Sequence, residues 1–142
     1  MTKKQVRYWL LKTEPETYSF DDLTNEPSHG TWDGVRNYQA RNNLRAMEVN
    51  DLLLIYHSVS DKEIVGIAKV TKTAFPDPTA ESGDWSAIEL KSVKKLNNPV
   101  SLEKIKNTSE LSNMPLIKHS RLSVMPVDEL EYKIILDMSK KG

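Results

Sequence analysis

Three extended stretches follow one another between residues 51 and 93 with no helical pattern between them, which rules out a chain built of alternating βαβ units. Leu52-Leu53-Leu54-Ile55-Tyr56 is an unbroken apolar run. At that length it predicts a central strand covered on both faces. Ile64 to Thr73 predicts the next strand, after a loop over Ser58 to Glu63. Ser86 to Val93 predicts a third, with Ile88 and Leu90 on one face and Glu89 and Lys91 on the other. Phe75 to Asp84 holds two prolines and a glycine and is expected to be loop.

Elements flank this group on both sides. Tyr8 to Thr13 reads as a strand ended by Pro15, and Ser19 as the N-cap of a short helix with acids in its first turn. Asn25 to Gly30 is expected to be loop. Asn37 to Met47 has helical spacing, with Ala40, Leu44 and Met47 on one face and Arg41 and Arg45 on another. Ser101 N-caps a short helix through Lys106. Leu122 to Val127 reads as an edge strand because Pro126 lacks a ladder donor. Asp128 to Met138 is the final helix, with Leu130, Ile134, Ile135 and Met138 expected as its buried stripe. The order points to an α+β fold with a mostly antiparallel sheet or partial barrel.

Composition narrows what such a fold does. The 142 residues fit one domain, expected to span 1–142. The chain has no cysteine, so disulfides, thiolate metal sites and a cysteine nucleophile are excluded. No run of 18 apolar residues exists, and the apolar stretch near the start is too short for a signal peptide, so an intracellular protein is expected. Twenty Lys plus Arg balance twenty Asp plus Glu. A chain with that balance does not coat nucleic acid by bulk charge; a reader of nucleic acid built this way concentrates its cations and relies on a pocket.

The densest run of unusual residues is Trp32-Asp33-Gly34-Val35-Arg36-Asn37-Tyr38-Gln39-Ala40-Arg41-Asn42-Asn43-Leu44-Arg45. Its aromatic, amide and guanidinium side chains suit stacking on a flat ring and hydrogen bonding to its edge. They also suit a core tryptophan followed by a solvated helix face, the commoner use of such clusters. The residues alone leave both readings open. Trp9 and Tyr56, inside apolar strands, read as core, and Trp85 reads either as pocket wall or as cover for the barrel.

Taken with Trp9-Leu10-Leu11-Lys12-Thr13-Glu14-Pro15, Tyr56-His57-Ser58, Val65-Gly66-Ile67-Ala68 and Arg121-Leu122-Ser123-Val124, that run resembles the EVE domain over about residues 7–138. Two positions depart from the family pattern. Asn50-Asp51 stands where Gly-Asp is usual, and Tyr132 where the last helix commonly carries Trp. The resemblance implies a PUA-like fold, a small mixed, mostly antiparallel β-barrel with flanking helices, similar to the YTH readers of methylated adenine. It implies a non-catalytic module that binds a modified base of DNA or RNA in a barrel-side pocket, with no cofactor, no metal, no membrane partner and a monomer favoured. The compartment would be cytoplasmic for a bacterial source and nuclear for a eukaryotic one. Carried over, the base pocket comprises Trp32, Val35, Arg36, Asn37, Tyr38, His57, Ser58, Trp85, Leu122 and Ser123. Lys12, Arg41, Arg45, Lys118 and Arg121 are the expected phosphate contacts, and the cations are expected to share one face. The alternative is a pocket for a free base or nucleoside, or a protein-interaction domain.

Enzyme readings are weaker. His57-Ser58 holds a base and a hydroxyl, but adjacent strand residues point to opposite faces, and no nucleophile elbow surrounds Ser58. His29 and Asp33 are a helical turn apart in a loop beside Gly30, with no third metal ligand nearby in sequence.

Overall fold

The computed structural model describes residues 6–59 and 61–141. The apolar run lies where its pattern requires. Strand β3 (Leu52–His57) sits inside a six-stranded sheet of order β2-β5-β4-β3-β1-β6, and Leu53, Leu54, Ile55 and Tyr56 are all buried. Its neighbours are β1 (Tyr8–Thr13), which runs parallel to it, and β4 (Glu63–Pro76), which is antiparallel. The remaining pairs, β4 with β5 (Ser86–Ser101), β5 with β2 (Gly30–Trp32) and β1 with β6 (Val124–Val127), are antiparallel. The single parallel pair arises because α1 (Phe20–Thr24), β2 and α2 (Tyr38–Ala46) lie between β1 and β3, giving the chain room to cross over.

The fold class is the expected mixed, mostly antiparallel α+β arrangement, but the barrel is not closed by hydrogen bonds. Among the described residues no ladder joins the terminal strands β2 and β6. Helix α2 packs on β4, β5 and β6, burying Ala40 and Leu44 with the cap residue Met47. The long β4–β5 ladder has four register shifts. Each bulge bends and twists the pair, which curves the sheet around α2.

Several boundaries move. β5 continues past Val93 through Asn97-Asn98-Pro99, because Val100 is buried opposite Ile64 and the Asn98 amide donates to the Ser139 carbonyl at 2.7 Å. Gly30–Trp32, partly read as loop, forms β2. The segment 107–121 contains a 3-10 turn (Ser109–Leu111) and the short α4 (Pro115–Lys118), after α3 (Leu102–Lys106) with Ser101 as its N-cap. In the last helix, α5 (Glu129–Lys141), the predicted stripe is off by part of a turn: Leu130 is 65% exposed, while Tyr132, Ile135 and Ser139 are buried. Tyr132 sets this rotation by stacking on Tyr8 at 4.2 Å between ring centres. Residues two apart on a helix lie about 200° apart, so Leu130 turns outward.

The Asn50-Asp51 departure keeps its turn. Asn50 adopts φ +77°, a left-handed conformation that Asn tolerates better than most residues. Asp51 is buried and accepts from the Arg7 and Glu48 backbone N–H groups and from Trp9 Nε1 at 3.0–3.1 Å, tying the start of β1 to that of β3.

Candidate functional site

Strand β2 delivers Trp32 to the inside of the sheet, since alternation buries Gly30 and Trp32 and leaves Thr31 outside. Gly30 is required there: a Cβ would come within 2.6 Å of Leu23 Cδ1 and 2.8 Å of the Tyr18 hydroxyl. After Trp32 the chain turns at Gly34, whose φ of +78° favours glycine. The turn is held from below by Asp77, whose carboxylate has no solvent exposure. One oxygen accepts from the Gly34 N–H at 2.8 Å and from Arg36 Nη1 at 2.9 Å. The other accepts from the Thr79 N–H at 2.7 Å and the Thr79 hydroxyl at 2.6 Å. Burial alone would push this carboxyl up, but the donors from Thr79, Arg36 and Gly34 outweigh it and hold the pKa at about 2.

Above that anchor opens a cavity of about 510 Å³. Trp32, Asp33, Gly34, Val35 and Arg36 form one side; Lys12, Thr13, Thr17 and Tyr18 form the other, with Thr31 and Ser123 completing it. Tyr18 meets Trp32 edge to face at 6.2 Å and donates its hydroxyl to Glu26 Oε1 at 3.0 Å. Burial and the Glu26 carboxylate push its phenol well above the usual range, so it stays protonated. Lys12 donates to the Ser120 carbonyl at 2.7 Å, and burial lowers its ammonium pKa. Burial and the nearby Asp77 raise the Asp33 carboxyl, against its own backbone N–H and Arg36. No donor of another described residue hydrogen-bonds the Asp33 side chain, nor the hydroxyls of Thr17, Thr31 and Ser123. The cavity thus combines aromatic walls with a solvent-exposed carboxylate and three hydroxyls that no other described residue hydrogen-bonds.

Of the residues expected in a base pocket, Trp32, Val35, Arg36 and Ser123 line this cavity, together with Lys12 from the expected phosphate contacts. The others lie elsewhere, for identifiable reasons. Asn37 is the N-cap of α2, its Oδ1 accepting from the Ala40 N–H at 2.9 Å. It faces a shallower depression of about 350 Å³ with Gln39, Lys118, Ser120, Arg121 and Leu122. The segment from Ser120 to Ser123 divides the two hollows. His57 Nε2 accepts from the Phe20 N–H at 3.0 Å, and Ser58 Oγ donates to the Thr13 carbonyl at 3.3 Å, so both polar groups serve the backbone. Tyr38 and Trp85 stack on each other outside the cavity at 5.1 Å.

The expected cations divide likewise. Arg41 bonds the Asp84 carbonyl and Asn42, and Arg45 bonds the Asp84 carboxylate at 2.6 Å and Ser86 Oγ at 2.9 Å. Together they lock residues 84–86 onto α2. Lys118 and Arg121 are exposed and form no ion pair among the described residues. His29 pairs with Glu89 at 3.4 Å rather than with Asp33.

Sequence reasoning missed Thr13, Thr17, Tyr18, Thr31, Asp33 and Gly34 as cavity residues. The available signal was the Asp33-Gly34 pair, where a turn presents an acid beside a buried tryptophan, and the Pro15 stop, which leaves residues 14–18 at the end of β1.

The EVE domain family model matches residues 7–138. Thymocyte nuclear protein 1 of Mus musculus is 34% identical over 171 residues, covering 97% of this chain and 76% of its own length. A solved protein of Rhodopseudomonas palustris superposes with a TM-score of 0.89 at 41% identity, over 96% of this chain and 94% of its own. The human THYN1 protein, solved in complex with 5-methylcytosine-containing DNA, superposes with a TM-score of 0.88 at 31% identity, over 96% and 99%.

Proposed function

The chain belongs to the EVE domain family, and we propose that it is a non-catalytic module that binds nucleic acid by taking one modified base into the cavity between Trp32, Tyr18 and Asp33. The observation that carries this reading is the cavity itself, which sets the buried Trp32 and half-buried Tyr18 rings beside the solvent-exposed Asp33 carboxylate. The cavity volume falls within the roughly 300–1,000 Å³ of small-molecule sites. A carboxylate that only accepts suits the exocyclic amines of cytosine, adenine and guanine, and opposes the carbonyl oxygens of thymine or uracil. An added methyl is read by fit, at about 0.8 kcal/mol for each buried carbon. Lys118 and Arg121 meet phosphates beyond the Ser120–Ser123 divider. The human relative solved with 5-methylcytosine-containing DNA supports a modified cytosine as the first ligand to test.

The absence of a catalytic step is part of the proposal. His57 and Ser58 are committed to backbone partners, and no base–nucleophile pair forms between them. We place the whole chain, 1–142, in one such domain working inside the cell, where nucleic acid is found.

The zero net charge favours one rival, a pocket for the free base or nucleoside. Both are tested by titrating oligonucleotides with a single modified base against their unmodified twins, at two salt concentrations. The proposal expects a preference for the modified strand, binding of both twins weakened in Asp33→Ala because each offers it the same amine, and affinity that falls as salt rises. Equal binding of every twin, or salt-independent binding of the nucleoside as tight as of the strand, refutes it.

A further inference from the structure

We infer that Tyr38 and Trp85 form a second stacking site, outside the cavity, for the base adjacent to the one the cavity holds. This rests on the functional reading above and extends it from one nucleotide to two. Tyr38 is 68% exposed at the first turn of α2, and its ring lies nearly parallel to Trp85, at 16°. The Arg41 guanidinium is 5.1 Å from the Tyr38 ring centre and 5.9 Å from that of Trp85. Stacked layers are about 3.5 Å apart, so a cation on the outer face of Tyr38 would lie at least about 7 Å from Trp85. Arg41 therefore flanks the edges of both rings and leaves the outer face of Tyr38 open to solvent.

The stack adjoins the cavity. Arg36 lines the cavity wall, and its guanidinium lies 5.6 Å from the Trp85 ring centre. A strand with one base in the cavity passes Arg36 and reaches the Tyr38 face with its neighbour. The platform is rigid before any ligand arrives: Arg41 and Arg45 pin the Asp84–Ser86 segment that carries Trp85, and the Asn37 cap fixes the turn that carries Tyr38. Rigid rings bind with little ordering cost. The occupant is an unpaired nucleobase, because every base offers a π-face to an exposed aromatic ring. A base inside a duplex keeps its faces covered by its own neighbours.

The test uses a short single-stranded DNA with one 5-methylcytosine, the same strand with an abasic site on either side of it, and 5-methyldeoxycytidine monophosphate. In the wild-type protein an abasic site on one side should weaken binding about 5- to 150-fold, the range for loss of one base–aromatic stack. In Tyr38→Ala the intact strand should bind that weakly already, and the abasic site should cost nothing more. Tyr38→Phe should behave as wild type, and the mononucleotide should bind all three proteins alike. The stacking site is refuted if the abasic penalty is the same in Tyr38→Ala as in wild type, or if Tyr38→Ala weakens mononucleotide and strand equally. If wild-type protein binds neither strand nor mononucleotide, the functional reading itself falls, and the stacking site with it.

Discussion

Replacing Asp77 by asparagine should unfasten the wall of the cavity while leaving the sheet intact. Both carboxylate oxygens of Asp77 accept from two donors each, and all four donors belong to Gly34, Arg36 and Thr79. An amide has one accepting oxygen. Whichever way the introduced amide turns, its NH₂ faces either the Gly34 N–H and Arg36 or the Thr79 N–H and hydroxyl, so donor meets donor. Leaving one such backbone donor unsatisfied costs about 1–3 kcal/mol. The charge adds to this. Lowering a carboxyl from 3.8 to about 2 corresponds to about 2 kcal/mol of preference for the ionised form in the folded state. Arg36 is 39% exposed and regains water when its partner is lost, which limits the total to about 2–4 kcal/mol near pH 7.

The pH dependence isolates the charge. The folded-state pKa lies below the unfolded value, so the stabilisation is complete above about pH 4 and disappears as pH falls through about 2. Urea unfolding of wild type and Asp77→Asn should therefore differ by about 2–4 kcal/mol near neutrality, and the difference should shrink by about half or more near pH 2. Glu63 and Glu131, whose carboxyls are raised chiefly by burial, titrate in both proteins and cancel in the difference, whereas Asp33 loses the part of its rise that Asp77 causes. A gap that stays constant with pH, or one below about 0.5 kcal/mol at neutrality, would refute the assignment of Asp77 as the anchor.

Gly66→Ala should destabilise by about 1–3 kcal/mol, because its Cβ would overlap the buried Phe20 ring; shortening that ring with Phe20→Leu should recover part of the loss in the double variant, read by thermal unfolding. Asn37→Ala should cost about 1 kcal/mol through loss of the α2 N-cap, and Asn37→Asp should be nearly neutral in the same assay. Burial holds the His57 imidazole below its ordinary 6.5, against the pull of Asp21 and Asp61, so stability should be full above about pH 6.5 and decline as pH falls from there. His57→Gln, which keeps an acceptor for the Phe20 N–H without titrating, should flatten that decline; an unchanged slope would remove His57 from the account.

The elements legible in the sequence are those whose cause is local. Ser19 with Asp22 forms a capping box, the apolar run over 52–56 is a buried strand, and Pro126 lies on the edge strand, each as its residue types require. What was not legible depended on distant partners. The strand predicted to end at Val93 runs on through Asn97-Asn98-Pro99, held there by the pairing of Val100 with Ile64 and the contact of Asn98 with α5. Leu130 fits a buried stripe by spacing, and only the stacking of Tyr132 on Tyr8 rotates it outward. The site suffered most, because capping, bracing and binding use the same chemistry. Asn37, His57 and Ser58 have the groups a base edge needs, and each satisfies a backbone group instead. In the sequence Asp33 reads only as a metal ligand with His29, because nothing local shows that the fold sets it beside Trp32 at the cavity.

That distinction between committed and free groups also explains how an electrically neutral chain can meet a polyanion. Arg36 and Arg45 are paired with Asp77 and Asp84, and Arg41 is spent on Asn42 and the Asp84 carbonyl, so their charge is used to build the site. Lys12, Lys118 and Arg121 form no ion pair among the described residues, and all three adjoin the Ser120–Ser123 divider. Two or three phosphate contacts are what those cations can supply. Single-stranded DNA releases counterions with a slope of about −0.7 per phosphate neutralised, so affinity should fall only about 7- to 20-fold between about 50 and 200 mM salt. Arg121→Ala should flatten the slope by about 0.7 and weaken modified and unmodified strands alike, since phosphate contacts position a strand without reading it. A slope matching six or more phosphates would mean that cations outside this rim carry the binding. The surface drawn by the cavity, the divider and Tyr38 would then be too small to be the interface.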